Sequence, residues 1–141
     1  MIVVDANVIA YAFIVGDKTD LARKLKEVEP DWRVPRIWRE EFENVLAVHV
    51  RAGRLKRDQA LETMAVALET IMPGEIGVDP LDALDIAIHL HVSSYDAQYL
   101  ALARKHGVIL VTEDVPLHKA AHGTAKTMGE FMIGKNTGEV S

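Results

Sequence analysis

The sequence contains no cysteine. Disulfide bonds, thiolate nucleophiles and cysteine-ligated zinc or iron sites are therefore excluded. It also lacks any apolar run that approaches the roughly 20 residues a membrane-spanning helix requires. The segment from Met1 to Asp5 has no basic lead and reaches an aspartate too early for a signal peptide. We therefore expect a cytoplasmic protein.

The composition is that of an ordinary globular protein. The 141 residues include 49% hydrophobic and 26% charged residues, which predicts a single domain over 1–141 with a sizeable core. The formal net charge of −5 argues weakly against a nucleic-acid partner. However, local charge decides attraction, and six basic residues fall within one segment. They are Arg36, Arg39, Arg51, Arg54, Lys56 and Arg57.

Short apolar runs alternate with helical patterns along the chain. Strands are predicted at 2–4, 32–34, 75–78 and 108–111. Helices are predicted at 6–15, 19–28, 37–52, 57–71, 79–92, 95–106 and 114–121. Ser94 is the predicted cap of the sixth helix, and the residues after 121 are expected to form a loosely defined tail. This alternation predicts an α/β fold whose mostly parallel sheet is covered on both faces.

Four acidic residues occupy informative places in this pattern: Asp5, Glu41, Asp96 and Asp114. Asp5 and Asp114 follow predicted strands, and the carboxyl ends of parallel strands form the usual ligand crevice. Glu41 lies on the apolar face of its helix, where an unpaired carboxylate is costly. Carboxylates gathered together repel one another unless a divalent cation neutralises them. The pattern therefore predicts a metal site of oxygen ligands and, with it, phosphodiester chemistry.

Each acid taken alone has a simpler explanation. Asp5, Asp96 and Asp114 are placed to cap helices or to interact with a helix dipole. Asn7 and Thr112, which lie at the same strand ends, could support carboxylates or could serve only as turn and cap residues. The residue types and their positions are compatible both with a metal site and with simple capping and turn roles.

Four segments in register resemble the motifs of the PIN-domain nucleases. They are Val4-Asp5-Ala6-Asn7-Val8, Glu41-Phe42-Glu43-Asn44-Val45-Leu46, Tyr95-Asp96-Ala97-Gln98-Tyr99-Leu100-Ala101-Leu102-Ala103 and Leu110-Val111-Thr112-Glu113-Asp114. Their order and spacing cover nearly the whole chain. One such motif would be a weak signal, whereas four in order are quite specific.

The resemblance implies a three-layer α/β/α fold and a ribonuclease that depends on Mg²⁺ or Mn²⁺. By position, the catalytic and metal-binding residues would be Asp5, Glu41, Asp96 and Asp114, with Asn7 and Thr112 in support. The size resembles that of VapC-type toxins, which implies an antitoxin partner and a homodimer. Four basic residues at the helical hairpin could contact RNA phosphates or could simply be solvated, namely Arg51, Arg54, Lys56 and Arg57.

Two other functions fit parts of the pattern. A PIN-like module could bind RNA or protein without cutting, although such a module is free to lose the acids that this chain retains. A phosphatase-like hydrolase would need a lysine near its nucleophile, and no lysine lies beside the four motifs in the sequence. The apolar residues of the first two helices could also line a groove for an antitoxin or a second subunit, or could simply pack on the sheet. They are Tyr11, Phe13, Ile14, Leu21 and Leu25.

Overall fold

The structure is a computed structural model that describes residues 1–136. Four strands and eight α-helices are found in this range, together with one 3₁₀ turn at Met72–Gly74. In chain order the elements are β1 (Ile2–Val4), α1 (Ala6–Phe13), α2 (Thr19–Val28), β2 (Trp32–Arg33), α3 (Trp38–Arg51), α4 (Arg57–Ile71), α5 (Pro80–Leu90), α6 (Ser94–His106), β3 (Leu110–Val111), α7 (Val115–Ala120), β4 (Ala125–Lys126) and α8 (Met128–Asn136).

The strands form a parallel sheet in the order β2-β1-β3-β4. The residues of β1 are fully buried, as expected for a central strand whose side chains are apolar on both faces. β1 pairs with β3 in the register Val4 to Val111. This register places the residues that follow β1 and β3 side by side at one edge of the sheet.

Helices cover the sheet on both faces and complete the predicted three-layer α/β/α fold. One group consists of α1 with α2, α3 and α4, which pack on α1. On the other side α6 contacts β1 and β3 and carries α5. The core includes Trp38, Tyr99, Phe42 and Phe131, each at most 1% exposed. Within the described range, no helix is long and apolar enough to cross a membrane.

The strand predicted at 75–78 is wrong. Only a single parallel bridge forms there, between Val34 and Glu75, and it follows the 3₁₀ turn. At Gly74 the chain passes so close to Trp32 that an added Cβ would lie 2.1 Å from the Trp32 carbonyl oxygen. Pairing ends after Ile76, whose backbone N–H donates to the Val34 carbonyl at 3.0 Å.

The loosely defined tail is also wrong for residues 122–136. β4 pairs with β3, and α8 places Met128 and Phe131 in the core. A two-residue strand has too little length to show a period in the sequence, and only its partner strand stabilises it. Residues 137–141 of the predicted tail lie outside the described residues.

The cap of α6 differs from the prediction by one residue. The side chain of Ser93, not Ser94, accepts the backbone N–H of Asp96, and Ser94 is the first helical residue. At the other end of the helix, Gly107 adopts the left-handed conformation with φ of 64°. Two adjacent serines are equally able to cap, so only the backbone conformation decides between them.

Candidate active site

Asp5 lies between the end of β1 and the start of α1 and is 5% exposed. Its Oδ1 accepts the backbone N–H of Ala6 at 2.8 Å, so it does cap α1 as its position suggested. Its Oδ2 accepts the Thr112 hydroxyl at 2.7 Å and the Asn7 amide at 3.3 Å. Asp5 can therefore cap α1 and take part in a site at the same time. One oxygen accepts the N–H at the start of the helix, and the other accepts the Thr112 hydroxyl at the end of β3.

Thr112 and Asn7 join the ends of β1 and β3. The fully buried hydroxyl of Thr112 donates to Asp5 and accepts the backbone N–H of Asp114 at 3.1 Å. The Asn7 side-chain oxygen accepts the backbone N–H of Glu113 at 3.2 Å. These two side chains hold the first and fourth motifs in a fixed relation.

Asp114 and Asp96 begin two further helices. The Oδ1 of Asp114 accepts the backbone N–H of Leu117 at 2.8 Å and thereby caps α7. Asp96 lies half-buried in the first turn of α6, where Ser93 receives its backbone N–H. The Ser93 side chain also forms a hydrogen bond with the Asp96 carboxylate, which favours its charged form.

Glu41 lies half-buried on α3, whereas Glu40 and Glu43 are exposed. The hydroxyl of Tyr99 donates to Glu41 Oε1 at 2.7 Å. Tyr99 is fully buried on α6, three residues after Asp96. This hydrogen bond brings the second and third motifs together across 58 residues of sequence.

The electrostatics show that the four acids lie near one another. The pKa of Asp5 is raised to about 6, chiefly by burial and also by the charges of Asp96 and Asp114. Burial also raises the pKa of Glu41 to about 7, with contributions from Asp5 and Asp96. The pKa of Asp96 is raised by burial and then by Asp114. Each acid thus interacts with at least one other of the four.

No positive side chain within residues 1–136 compensates this cluster. Among residues 1–136, no lysine, arginine or histidine forms an ion pair with any of the four acids. The pKa of Tyr99 is held well above its ordinary value by burial and by the nearby charge of Glu41, so its hydroxyl stays a neutral donor. The site is a partly buried concentration of negative charge.

The chemistry of these groups fits a hard divalent cation. Mg²⁺ prefers carboxylate oxygens and relieves the repulsion that raises their pKa values. The side chains are not closed into a metal cage, since no three histidine or acidic side chains of the described residues converge enough to hold an ion. Mg²⁺ commonly uses one or two carboxylates and completes its shell with water and substrate phosphate, so an open arrangement is compatible with it.

The predicted basic contacts lie away from the acids, at the end of the α3–α4 hairpin. Arg51, Arg54, Lys56 and Arg57 are all exposed there. Arg57 contacts Asp58 at 3.1 Å on the open surface, where an ion pair is weak. Arg39 is not free, because it forms a two-pronged ion pair with Glu75 at 2.7 and 2.8 Å.

Two contacts at the site were not predicted from the sequence. Tyr99 was part of the third motif but its bond to Glu41 was not foreseen, and the only signal was its spacing of three residues from Asp96. Lys18 lies outside the four motifs and 95 residues from Glu113 in sequence, yet its Nζ is 2.9 Å from Oε1 of Glu113 in the fourth motif. The other Glu113 oxygen accepts the backbone N–H of Met128 at 3.0 Å. Glu113 thus ties the fourth motif to the α1–α2 loop and to α8.

The apolar residues of α1 and α2 are mostly packed against the core. Leu25 is fully buried, whereas Tyr11, Phe13, Ile14 and Leu21 are partly buried on the core surface. Phe13 lines a cleft of about 450 Å³ with Ala12, Arg23, Lys26, Glu27, Trp32, Val66 and Thr70. The packing explanation therefore holds for Leu25, and a cleft remains beside Phe13.

Comparisons with known proteins agree with this fold. A family model described as the PIN domain matches residues 2–123. Ribonuclease VapC3 of Pyrobaculum aerophilum is 29% identical over 116 residues, which cover 80% of this chain and 88% of the relative.

Two crystal structures have the same fold. PAE2754 from Pyrobaculum aerophilum superposes with a TM-score of 0.76 at 22% identity and covers 96% of both chains. FitAcB from Neisseria gonorrhoeae superposes with a TM-score of 0.68 at 16% identity and covers 92% of this chain and 99% of the other. Because the family model spans most of the sequence, the chain belongs to the PIN domain family.

Proposed function

We propose that this protein is a metal-dependent endoribonuclease that hydrolyses RNA phosphodiester bonds, as a single PIN-like domain over 1–141. The observation that supports it is the gathering of four acids from four separate segments with no cationic partner among the described residues. In this proposal Asp5, Glu41, Asp96 and Asp114 are the catalytic and metal-binding residues. The similarity to Ribonuclease VapC3 supports RNA as the substrate.

The residues of the chain prepare this site in two ways. Thr112 and Asn7 fix the Asp5 carboxylate at the strand end, and partial burial keeps water from screening the acids. Bound Mg²⁺ or Mn²⁺ would supply a Lewis acid and would offset negative charge on the RNA phosphate. Without a cation, the acid cluster would repel RNA, so substrate binding and metal binding are expected to depend on each other.

Exposed basic residues of the α3–α4 hairpin provide the proposed RNA contacts. Arg51, Arg54, Lys56 and Arg57 share one end of the hairpin, where they can approach the phosphate backbone without entering the acid cluster. Phosphate contacts of this kind position the RNA and carry no sequence information.

We further propose that the protein is the cytoplasmic toxin of a VapBC-type toxin–antitoxin pair and acts as a homodimer. The similarity to Ribonuclease VapC3 supports the toxin assignment. The exposed apolar face of α5, formed by Leu81, Leu84 and Ile88, supports a second copy as partner. Asp82 and Asp85 of the same helix line a separate cleft with Arg104 and Lys105 of α6.

The test is cleavage of single-stranded and structured RNA by the purified protein in Mg²⁺, Mn²⁺ or EDTA. We expect cleavage with either metal, none in EDTA, and at least a hundredfold loss in Asp5→Asn, in line with the removal of an essential metal ligand. Asp79→Asn is the matched control, because Asp79 caps α5 in the same way but is exposed and distant from the cluster.

Two results would contradict the proposal. Cleavage that persists in EDTA, or that is equal in Asp5→Asn and Asp79→Asn, would remove the acid cluster from the reaction. If antitoxin-free wild-type protein cuts nothing under any of these conditions, the non-cleaving PIN-like binding module becomes the better account. The open arrangement of the carboxylates is the observation that favours this alternative.

A further inference from the structure

Tyr99 belongs to the third motif and forms a hydrogen bond with Glu41 of the second motif. Its ring is fully buried, but its hydroxyl reaches the half-buried carboxylate of Glu41 at 2.7 Å. A phenylalanine would fill the same core volume without burying a polar group. Burying a hydroxyl costs free energy unless it is hydrogen-bonded. The Tyr99 hydroxyl therefore depends on Glu41 as its acceptor.

The hydrogen bond joins two helices that pack on different neighbours. α3 packs chiefly on α1 and α4, whereas α6 packs on α5, β1 and β3. Within residues 1–136, the bond from Tyr99 to Glu41 is the only hydrogen bond between α3 and α6. The side-chain position of Glu41 relative to Asp96 is therefore set largely by this one bond.

The hydrogen bond from Tyr99 restrains one carboxylate oxygen of Glu41 and does not involve the other. Glu41 Oε1 receives the Tyr99 hydroxyl, and no other described residue donates a hydrogen bond to Oε1 or Oε2. Glu41 also has no ion pair in this range to hold it in place. A flexible glutamate that must serve as a ligand gains from a donor that fixes one oxygen and leaves the other free.

We infer that Tyr99 is a positioning residue, which holds the Glu41 carboxylate in the orientation needed to bind the divalent cation. This inference rests on the proposed function, since it assigns Glu41 to the metal site. Tyr99 touches neither substrate nor metal in this role and acts only through Glu41. The simpler alternative is that Tyr99 is a core aromatic whose hydroxyl has merely found an acceptor.

The experiment measures Mn²⁺ binding by isothermal titration calorimetry, alongside thermal unfolding in EDTA and RNA cleavage. Tyr99→Phe removes one oxygen and keeps the ring. Tyr95→Phe is the matched control, since Tyr95 lies on the same helix but is 56% exposed. We expect Mn²⁺ binding roughly tenfold weaker in Tyr99→Phe and unchanged in Tyr95→Phe. We also expect kcat to fall at saturating metal while KM for RNA changes little.

A second variant tests the same bond from the other side. Glu41→Asp keeps the carboxylate but shortens the side chain, so it withdraws from the Tyr99 hydroxyl. We expect Tyr99→Phe to weaken Mn²⁺ binding in the wild-type background and to have almost no further effect in the Glu41→Asp background. A purely structural role would lower Mn²⁺ affinity by the same factor in both backgrounds, and that result would overturn the inference.

The outcomes separate this inference from the proposed function. Equal Mn²⁺ affinity in wild type, Tyr99→Phe and Tyr95→Phe overturns the positioning role, even if wild type cleaves RNA. Wild type that binds Mn²⁺ but never cleaves overturns only the nuclease. Wild type that binds no Mn²⁺ overturns the metal site and the role of Tyr99 together.

Discussion

At the scale of single residues, the site depends on burying carboxylates, which costs free energy. Asp5 is 5% exposed and its pKa is about 6, chiefly because burial disfavours the carboxylate. The hydrogen bonds from Thr112 and Ala6 stabilise the charged form but do not compensate fully. Residues at such sites are selected by their chemistry at the expense of stability.

The raised pKa values predict how the metal-free protein responds to pH. Asp5 and Glu41 hold protons more tightly in the folded state, with pKa values raised from 3.8 to about 6 and from 4.5 to about 7. The contribution of these two groups to the free energy of unfolding is fully present below about pH 4 and is lost as the pH rises to about 7. At about 1.4 kcal/mol per pKa unit, Asp5 alone contributes on the order of 3 kcal/mol to the loss.

The measurement is urea unfolding in EDTA at pH 4, 5.5 and 7 for wild type and Asp5→Asn. We expect Asp5→Asn to gain stability over wild type as the pH rises, because the amide cannot ionise. Carboxyl groups that do not interact with Asp5 cancel in this difference, whereas Glu41 does not, because the charge of Asp5 contributes to its raised pKa. A difference between the two proteins that stays constant with pH would contradict the burial of Asp5, and added Mn²⁺ should restore wild-type stability at pH 7.

Thr112 gives a second prediction at this scale. Its hydroxyl both donates to Asp5 and accepts the N–H of Asp114. Thr112→Val keeps the shape but removes both bonds, so we expect cleavage to fall about tenfold. Thr112→Ser retains the hydroxyl and should keep most of the activity. Steady-state kinetics of RNA cleavage by both variants measure this difference. Equal activities would show that the hydroxyl has no supporting role.

At the scale of elements, α3 is anchored to the chain that follows α4. Glu75 accepts two hydrogen bonds from Arg39 and one from Trp38 Nε1 at 2.7 Å. The Arg39 guanidinium holds the pKa of Glu75 below its ordinary value. Because Glu41 lies in the same helix, two residues after Arg39, this anchor also fixes the helix that carries the second motif.

Loss of this anchor should destabilise the fold. We expect Glu75→Gln to lower the free energy of unfolding at pH 7 by about 1 to 2 kcal/mol, since it weakens three charge-assisted or buried hydrogen bonds. The effect should shrink as the pH falls below about 4.5, because the lowered pKa contributes stability only where Glu75 is ionised. The exposed Glu69→Gln on α4 is the control, and an equal loss in the two variants would exclude the anchor.

At the scale of the whole molecule, α5 is less buried than its composition suggests. Its apolar residues include Leu81, Leu84 and Ile88, which are 75%, 53% and 66% exposed and share one face of the helix. Only Ala83 of this helix is fully buried. A contiguous exposed apolar face of this kind is typical of a protein–protein interface.

The proposed homodimer is tested on this face. We expect wild type to sediment as a dimer and Leu84→Glu to sediment as a monomer, because a two-fold interface would bring the introduced charges of both copies together. Ile133→Glu is the control, since Ile133 is 65% exposed on α8 and lies outside the α5 face. Sedimentation velocity at several concentrations measures the result. A monomeric wild type, or a dimeric Leu84→Glu, would contradict the interface.

The sequence by itself determined the features that local chemistry controls. The buried strand before Asp5, the caps at Asp5 and Asp114 and the apolar face that includes Trp38 and Phe42 all follow from residue type and short-range spacing. The order of the motifs then identified the family. These predictions succeeded because each depends on neighbours within one or two turns of the chain.

Only the tertiary structure decided the contacts that span the chain. β4 exists because β3 offers it hydrogen bonds, and Tyr99 reaches Glu41 across 58 residues. The pKa of Asp5 depends on the elements that bury it, and no count of charges along the sequence contains that information. Sequence pattern fixes what each segment prefers, whereas pairing, burial and the field of distant charges arise only when the segments pack together.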